Sequence, residues 1–216
     1  MGIGTTNPAS KLHMSSGTMI IDGQPAGVTG TTNMVMVATG TTNLFRVQAN
    51  GNVYAAGSFN GGGADVAEMY PAAAGVEAGD VVALGADGKV ARFVKGSGAV
   101  LGIVSTRPGS VLGWDIGKTE MPDQRPVALT GRVPVKATLE NGPIRRGDAL
   151  SPASRPGFAK KARGGEATLG FALEDFDVAR GNVLCFVRIG ENVSGELKSL
   201  RREIDELRAI VAGGKK

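Results

Sequence analysis

Three rhythms of apolar and polar positions follow one another along this chain of 216 residues. In residues 1–60 the rhythm is short. The runs "MVMVA" and "LFRVQ" stop at "GTTN", which begins at Gly4, Gly30 and Gly40, or at Asn50-Gly51, a tight-turn signal. Each unit reads as a short strand and a turn. From residue 72 to 190, apolar runs such as "DVVAL", "AVLGIVS", "VPVKA" and "NVLCFVRIG" are separated by Gly, Pro and Asp, which predicts β structure throughout. Over 191–212 the period becomes helical: Val193, Leu197, Leu200, Ile204, Leu207 and Val211 recur at steps of 4, 3, 4, 3 and 4. That is a heptad seam with Leu197, Ile204 and Val211 at a and the others at d. Glu196 and Glu203 fall at g, Arg201 and Arg208 at e, so a parallel partner in register sets Glu against Arg. A seam under three heptads long is marginal alone and is expected to clasp chains already joined elsewhere.

The β region repeats itself. "AGDVVAL" leads to "LGIV" and "RGDAL" leads to "LGFA", and the step from Asp80 to Gly102 equals the step from Asp148 to Gly170. Two related β units packed as a barrel or a sandwich bury the apolar face that either would expose alone. Gly-Asp reads as a turn in both copies, so Asp80 and Asp148 are expected to be structural.

Composition narrows the function. Gly supplies 34 of the 216 residues, more than twice its usual share, which argues against a helical enzyme. Residues 1–60 carry only Lys11, Asp22 and Arg46 as charges and few large apolar groups; such a segment is either disordered or shares one core among several copies, and its β repeats favour sharing. The formal charge is +4, but basic residues are scattered and only 5% of residues are aromatic, so nucleic-acid binding is not expected. No apolar run reaches the roughly 18 residues of a membrane span, and membrane insertion is not expected. The single His13 has no second histidine to complete a metal set, and no cofactor motif is present. Cys185, inside an apolar run, reads as a small buried hydrophobe. The acidic cluster Glu174, Asp175 and Asp177 reads as a solvated turn, a hard-cation site being the alternative. Trp114, the one tryptophan, reads as a core or interface residue, with stacking on a sugar as the alternative.

One stretch stands apart. "NGGGADVAEMYP", Asn60 to Pro71, sets Asp65 and Glu68 behind three glycines at the end of the nearly uncharged segment. Asp followed three residues later by Glu can cap a helix. The same two carboxylates can also hydrolyse an amide, since paired carboxylates in a dry site split their pKa values into a base and an acid.

Two resemblances bear on the choice. "GIGTTNPASKLHM" and "LFRVQANGNVYAAGSF" resemble the shaft repeats ahead of the C-terminal assembly domains of phage tail fibres, tail spikes and related bacterial fibrous proteins. That implies a trimeric β-structured shaft over 1–60, a junction over 61–71, a β-rich head over 72–190 and a coiled coil over 191–212. It also implies a homotrimer in a virion or a cell-surface fibre, with a cell-surface receptor or glycan as a further partner. "GADVAEMY", "GDVVAL" and "VLGIVSTRPG" resemble the self-cleaving C-terminal domain of phage pre-neck appendage spikes, a glutamic peptidase family. That resemblance implies a scissile bond at Ala64-Asp65 and a catalytic Glu68, with Asp65 assisting. The family has a small hydroxyl residue before its Asp and an aromatic after it; here these are Ala64 and Val66, which favours a structural role for both carboxylates.

Overall fold

The computed structural model describes residues 2–3, 6, 13–14, 29–178, 181–191 and 200–208, and the chain divides into two compact units at Phe59 and Asn60. In the first unit, β1 (Gly2–Ile3) and β2 (His13–Met14) pair in parallel. Strands β3 (Asn33–Thr39), β4 (Thr42–Gln48) and β5 (Val53–Ala55) form an antiparallel three-stranded sheet. The third "GTTN" makes the β3–β4 hairpin, and Asn50-Gly51 makes the β4–β5 turn, where the Asn50 side chain accepts from the Asn52 N–H at 3.0 Å. Among the described residues of this unit no apolar side chain is buried; Gln48 is, and it donates to the Thr31 carbonyl. Arg46 lies over the Tyr54 ring at 4.2 Å.

The second unit is a ten-stranded sheet. Its strands are β6 (Asp65–Pro71), β7 (Val81–Leu84), β8 (Val90–Arg92), β9 (Val100–Val104), β10 (Ser110–Leu112), β11 (Gln124–Ala137), β12 (Ala149–Pro152), β13 (Ala159–Lys161), β14 (Ala167–Ala172) and β15 (Gly181–Glu191). The pairings close twice. In the first ring β6, the first half of β11, β9, β7 and β8 follow one another, and the parallel bridge from Ala72 to Val90 returns β8 to the end of β6. In the second, the latter half of β11, β15, β14, β12 and β13 do the same, and the parallel pair Ala137–Ala159 closes it. The repeated sequence thus makes two five-stranded rings that share one long strand, β11. The sheet carries two cores, one lined by the first ring alone and the other by both rings, because neighbouring residues of a strand face opposite sides. Val82, Val104 and Val127 pack in one cluster, while Val81, Ile103 and Ala128 join Val133, Val135, Leu169, Val183 and Cys185 in the other. Burial pushes the Cys185 thiol up to about 12.

The two Gly-Asp turns are equivalent in geometry. The Asp80 carboxylate accepts from the Glu77 N–H at 2.9 Å, and that of Asp148 from the Arg145 N–H at 2.7 Å. Each also holds a cation from the end of the hairpin's second strand, Arg92 at 2.8 Å for Asp80 and Lys161 at 2.8 Å for Asp148. Asp80 adds Lys136 at 2.7 Å, and is fully buried. The acidic cluster is engaged in loop contacts: Glu174 accepts from the Leu184 N–H, Asp175 from the Arg146 N–H, and Arg145 reaches Asp175 and Asp177 at 3.5 Å. Among the described residues no group of His, Cys, Asp and Glu is placed to hold a metal ion, and no helix is long and apolar enough to cross a membrane.

A helix, α1, covers 200–208 within the expected 191–212 seam, whose first residue, Glu191, is instead the last of β15. Leu200, Ile204 and Leu207 are exposed on it, at 47%, 47% and 61%, and Arg208 pairs with Asp205 at 3.7 Å. Arg201 and Glu203 also lie on it. Val193, Glu196, Leu197 and Val211 lie outside the described residues.

Candidate active site

Asp65–Pro71 is a strand, so Asp65 and Glu68 neither start a helix nor form a turn. Ala, Glu and Met are good helix formers, but β10 on one side and β11 on the other supply a backbone partner along the strand, and tertiary pairing overrides the local preference. The alternation of the strand then separates the two carboxylates. Asp65 and Ala67 face one side and are buried; Val66, Glu68 and Tyr70 face the other. Glu68 is half-buried, opposite Val127 on β11, and accepts a hydrogen bond from the Tyr70 hydroxyl at 2.8 Å. That bond, with burial, raises the Tyr70 phenol above its ordinary value.

The Ala64-Asp65 peptide is held at its carbonyl, and the next peptide is held too. The Ala64 carbonyl accepts from the Arg132 N–H at 3.0 Å and the Asp65 carbonyl from the Gly109 N–H at 2.8 Å. Such close approach needs glycine opposite. Gly131 has φ +112°, and a Cβ there would stand 2.5 Å from the Ala64 oxygen and the Asp65 Cα. Asp65 is 6% exposed and Ser105, just beyond β9, is 4% exposed. Burial pushes the Asp65 carboxyl up, and the neighbouring Ser105 hydroxyl offsets part of this. The two are near each other, but neither Asp65 Oδ2 nor Ser105 Oγ completes a hydrogen bond.

The duplication supplies an internal reference. Ala72 and Ala137 make the same parallel closure; counting back from each, Asp65 corresponds to Thr130 and Glu68 to Val133. The Ser105 N–H bonds to the Pro126 carbonyl as the Leu173 N–H bonds to that of Leu184, so Ser105 corresponds to Leu173. Asp80 is kept in the second ring as Asp148; Asp65, Glu68 and Ser105 are replaced by Thr, Val and Leu. The fold needs the Gly-Asp turn and closes without the other three. Ser105 is the residue that sequence reasoning missed, although the same short step beyond the paired glycines, Gly102 and Gly170, reaches Ser105 in one repeat and Leu173 in the other.

Trp114 follows β10, remote in sequence from the carboxylates; it is 44% exposed and its indole N–H donates to the Lys118 carbonyl at 3.2 Å. Its polar handle is engaged within the loop, while part of its ring faces solvent.

No family model matches this chain, and no curated protein matches it. Among solved structures it is similar to the pre-mature gene product 12 of bacteriophage phi29, at 17% identity and a TM-score of 0.50, over 68% of this chain and 24% of that one. It is also similar to a C-terminal fragment of phi29 gene product 12, at 17% identity and a TM-score of 0.41, over 57% of this chain and 100% of the fragment. The first likeness is one of fold. The chain spans about a quarter of the length of the pre-mature protein.

Replacing Asp65 with Asn is expected to raise stability at neutral pH. A carboxyl whose folded pKa is raised stabilises fully below its unfolded value, near 3.9, and loses that contribution as pH rises through the folded value. The amide has no such loss. Urea unfolding at pH 4 and pH 7 should show the variant gaining on the wild type as pH rises; a constant difference would mean that Asp65 is not a buried titrating group.

Proposed function

We propose that this chain is the C-terminal assembly module of a homotrimeric fibre or spike, in which a β shaft leads to a β head and a short coiled coil secures three chains. The observation that carries this is the first unit's sheet. Met36, Val37, Leu44, Val53 and Tyr54 are all more than 40% exposed, and no apolar side chain described there is buried. Such a sheet has no core of its own and gains one only against further copies. Exposure of Leu200, Ile204 and Leu207 on α1 supports the same conclusion. The copy number of three comes from the resemblance to fibre shafts, and the fold shared with a bacteriophage protein, phi29 gene product 12, agrees with a place in a virion or cell-surface fibre. Native mass spectrometry of the purified chain should give a trimer at micromolar concentration; a stable monomer would end this proposal.

A second reading is favoured by the Ala64-Asp65 bond itself: the module cuts its own chain there once assembled. Supporting it are the pinned Ala64 carbonyl, already polarised by the Arg132 N–H, and three polar residues that the second ring does without. Because Glu68 points to the other face and lies three residues, about 10 Å, along the strand, the base is assigned to Glu68 of a neighbouring copy, and cleavage reports assembly. Incubated trimers should yield two fragments, one ending at Ala64 and the other beginning at Asp65, and Glu68→Gln should abolish the cut while leaving the trimer intact. An intact wild-type chain in confirmed trimers would leave the assembly role alone standing. A sugar-binding role for Trp114 would show as glycan-array binding lost in Trp114→Ala.

A further inference from the structure

Among the described residues of the second unit, two buried side-chain oxygens lack a hydrogen-bond partner, Asp65 Oδ2 and Ser105 Oγ, and they are neighbours. A buried oxygen left without a partner is costly, and the second ring has no such pair: Thr130 is exposed and Leu173 is apolar. Asp65 is also one of the two residues of the pinned peptide, so its carboxyl and its own backbone nitrogen are joined through Cα and Cβ. In the side-chain conformations that turn the carboxyl back, its oxygen reaches that nitrogen.

We propose that Ser105 is a positioning residue for cleavage at Ala64-Asp65: its hydroxyl holds the Asp65 carboxyl where it can pass a proton to the nitrogen of the same residue. This rests on the self-cleavage reading above and deepens it. The step balances as a hydrolysis. The Glu68 carboxylate of a neighbouring copy takes one proton from water, and the water oxygen bonds to the Ala64 carbonyl carbon. The carbon–nitrogen bond breaks with its electron pair going to the Asp65 nitrogen, which takes the proton from the Asp65 carboxyl. Ala64 ends as a carboxylic acid, Asp65 as an amine with an ionised side chain, and Glu68 as a protonated acid; exchange with solvent restores both side chains. Ser105 serves the Asp65 carboxyl in either state by donating: to the carbonyl oxygen of the acid before the step, which leaves the acid's one O–H free to face the nitrogen, and to the carboxylate after it. Burial keeps the acid protonated to higher pH than an exposed aspartate, as proton donation requires.

The test is a pH–rate profile for cleavage of the full 216-residue chain, made by in vitro translation and chased at each pH, for the wild type, Ser105→Ala and Ser105→Thr. Position 105 should accept alanine, since its counterpart Leu173 is apolar. Ser105→Ala should assemble normally and cut about tenfold more slowly. Its falling alkaline limb should move to higher pH, because the group that eased ionisation of Asp65 is gone. Ser105→Thr, which keeps the hydroxyl, should restore both rate and limb. A Ser105→Ala profile that coincides with the wild type, or one that is lower with its limb unmoved, overturns the role of Ser105 while leaving self-cleavage in place. An uncut wild type in confirmed trimers overturns both.

Discussion

Asp80→Asn is expected to lower the stability of the second unit by about 3 kcal/mol, the lower end for breaking a buried charge cluster. The side chain is 1% exposed and holds Arg92 at 2.8 Å, Lys136 at 2.7 Å and the Glu77 N–H at 2.9 Å. An amide oxygen can replace one of these acceptors, but its NH₂ then confronts a cation. Lys136 and Arg92 are 20% and 39% exposed and recover part of their hydration, which keeps the loss from being larger. At about 2–4 °C per kcal/mol for a unit of this size, thermal melting should fall by about 10 °C. Asp148→Asn is the control: its side chain is 24% exposed and, among the described residues, holds Lys161 as its one cation, so about 1 kcal/mol is expected. Equal losses for the two variants would mean that the fold does not depend on the extra burial and the second cation at Asp80.

Gly170→Ala should cost more, about 4 kcal/mol or above, and leave little of the second unit folded. Gly170 has φ +138°, which alanine adopts only under strain, and a Cβ there would overlap the Phe186 carbonyl on β15 and stand 2.9 Å from the Arg188 nitrogen. β14 would have to leave β15, opening the second ring. Gly102, its counterpart in the first repeat, has an ordinary φ, and its Cβ would meet the Val127 side chain at 2.7 Å and the Ala128 carbonyl at 3.0 Å. A valine methyl can turn aside, so Gly102→Ala should cost about 2 kcal/mol. Urea midpoints rank the two; a milder effect at Gly170 would show that β14 and β15 can separate locally without loss of the fold.

These glycines also explain what could be read from the sequence. The equal spacings from Asp80 to Gly102 and from Asp148 to Gly170 exposed the duplication, because both ends of the spacing are fixed by geometry: a capped turn at one and close backbone contact at the other. The β character of the repeats was legible for a similar reason, since Asn50-Gly51 and the third "GTTN" mark the two hairpin turns. Asp65 and Glu68 were legible as unusual but not as placed. Their spacing suits a helix cap, and only the flanking strands β10 and β11 make the segment extended. Extension then puts the two on opposite faces, which no local pattern announces. Ser105 was hidden for another reason: a buried serine has no periodic signature, and its meaning comes from the carboxyl beside it and from Leu173 in the other ring. The heptad register remains legible in sequence alone beyond α1, since its other seam positions fall outside the described residues.

The shared strand has a consequence for how such a module can be inherited. β11 ends one ring and begins the next, pairing with β6 and β9 over its first half and with β15 over its second. The duplication therefore cannot be divided into two exchangeable modules. A recombination joint within β11 would give each ring a strand whose two halves came from different parents, with the packing of both cores at stake. A joint at Phe59 and Asn60, where the compact units part, disturbs neither ring. Exchange of the second unit by recombination is thus confined to the whole block, and the duplicated sequence, though it reads as two, is transmitted as one.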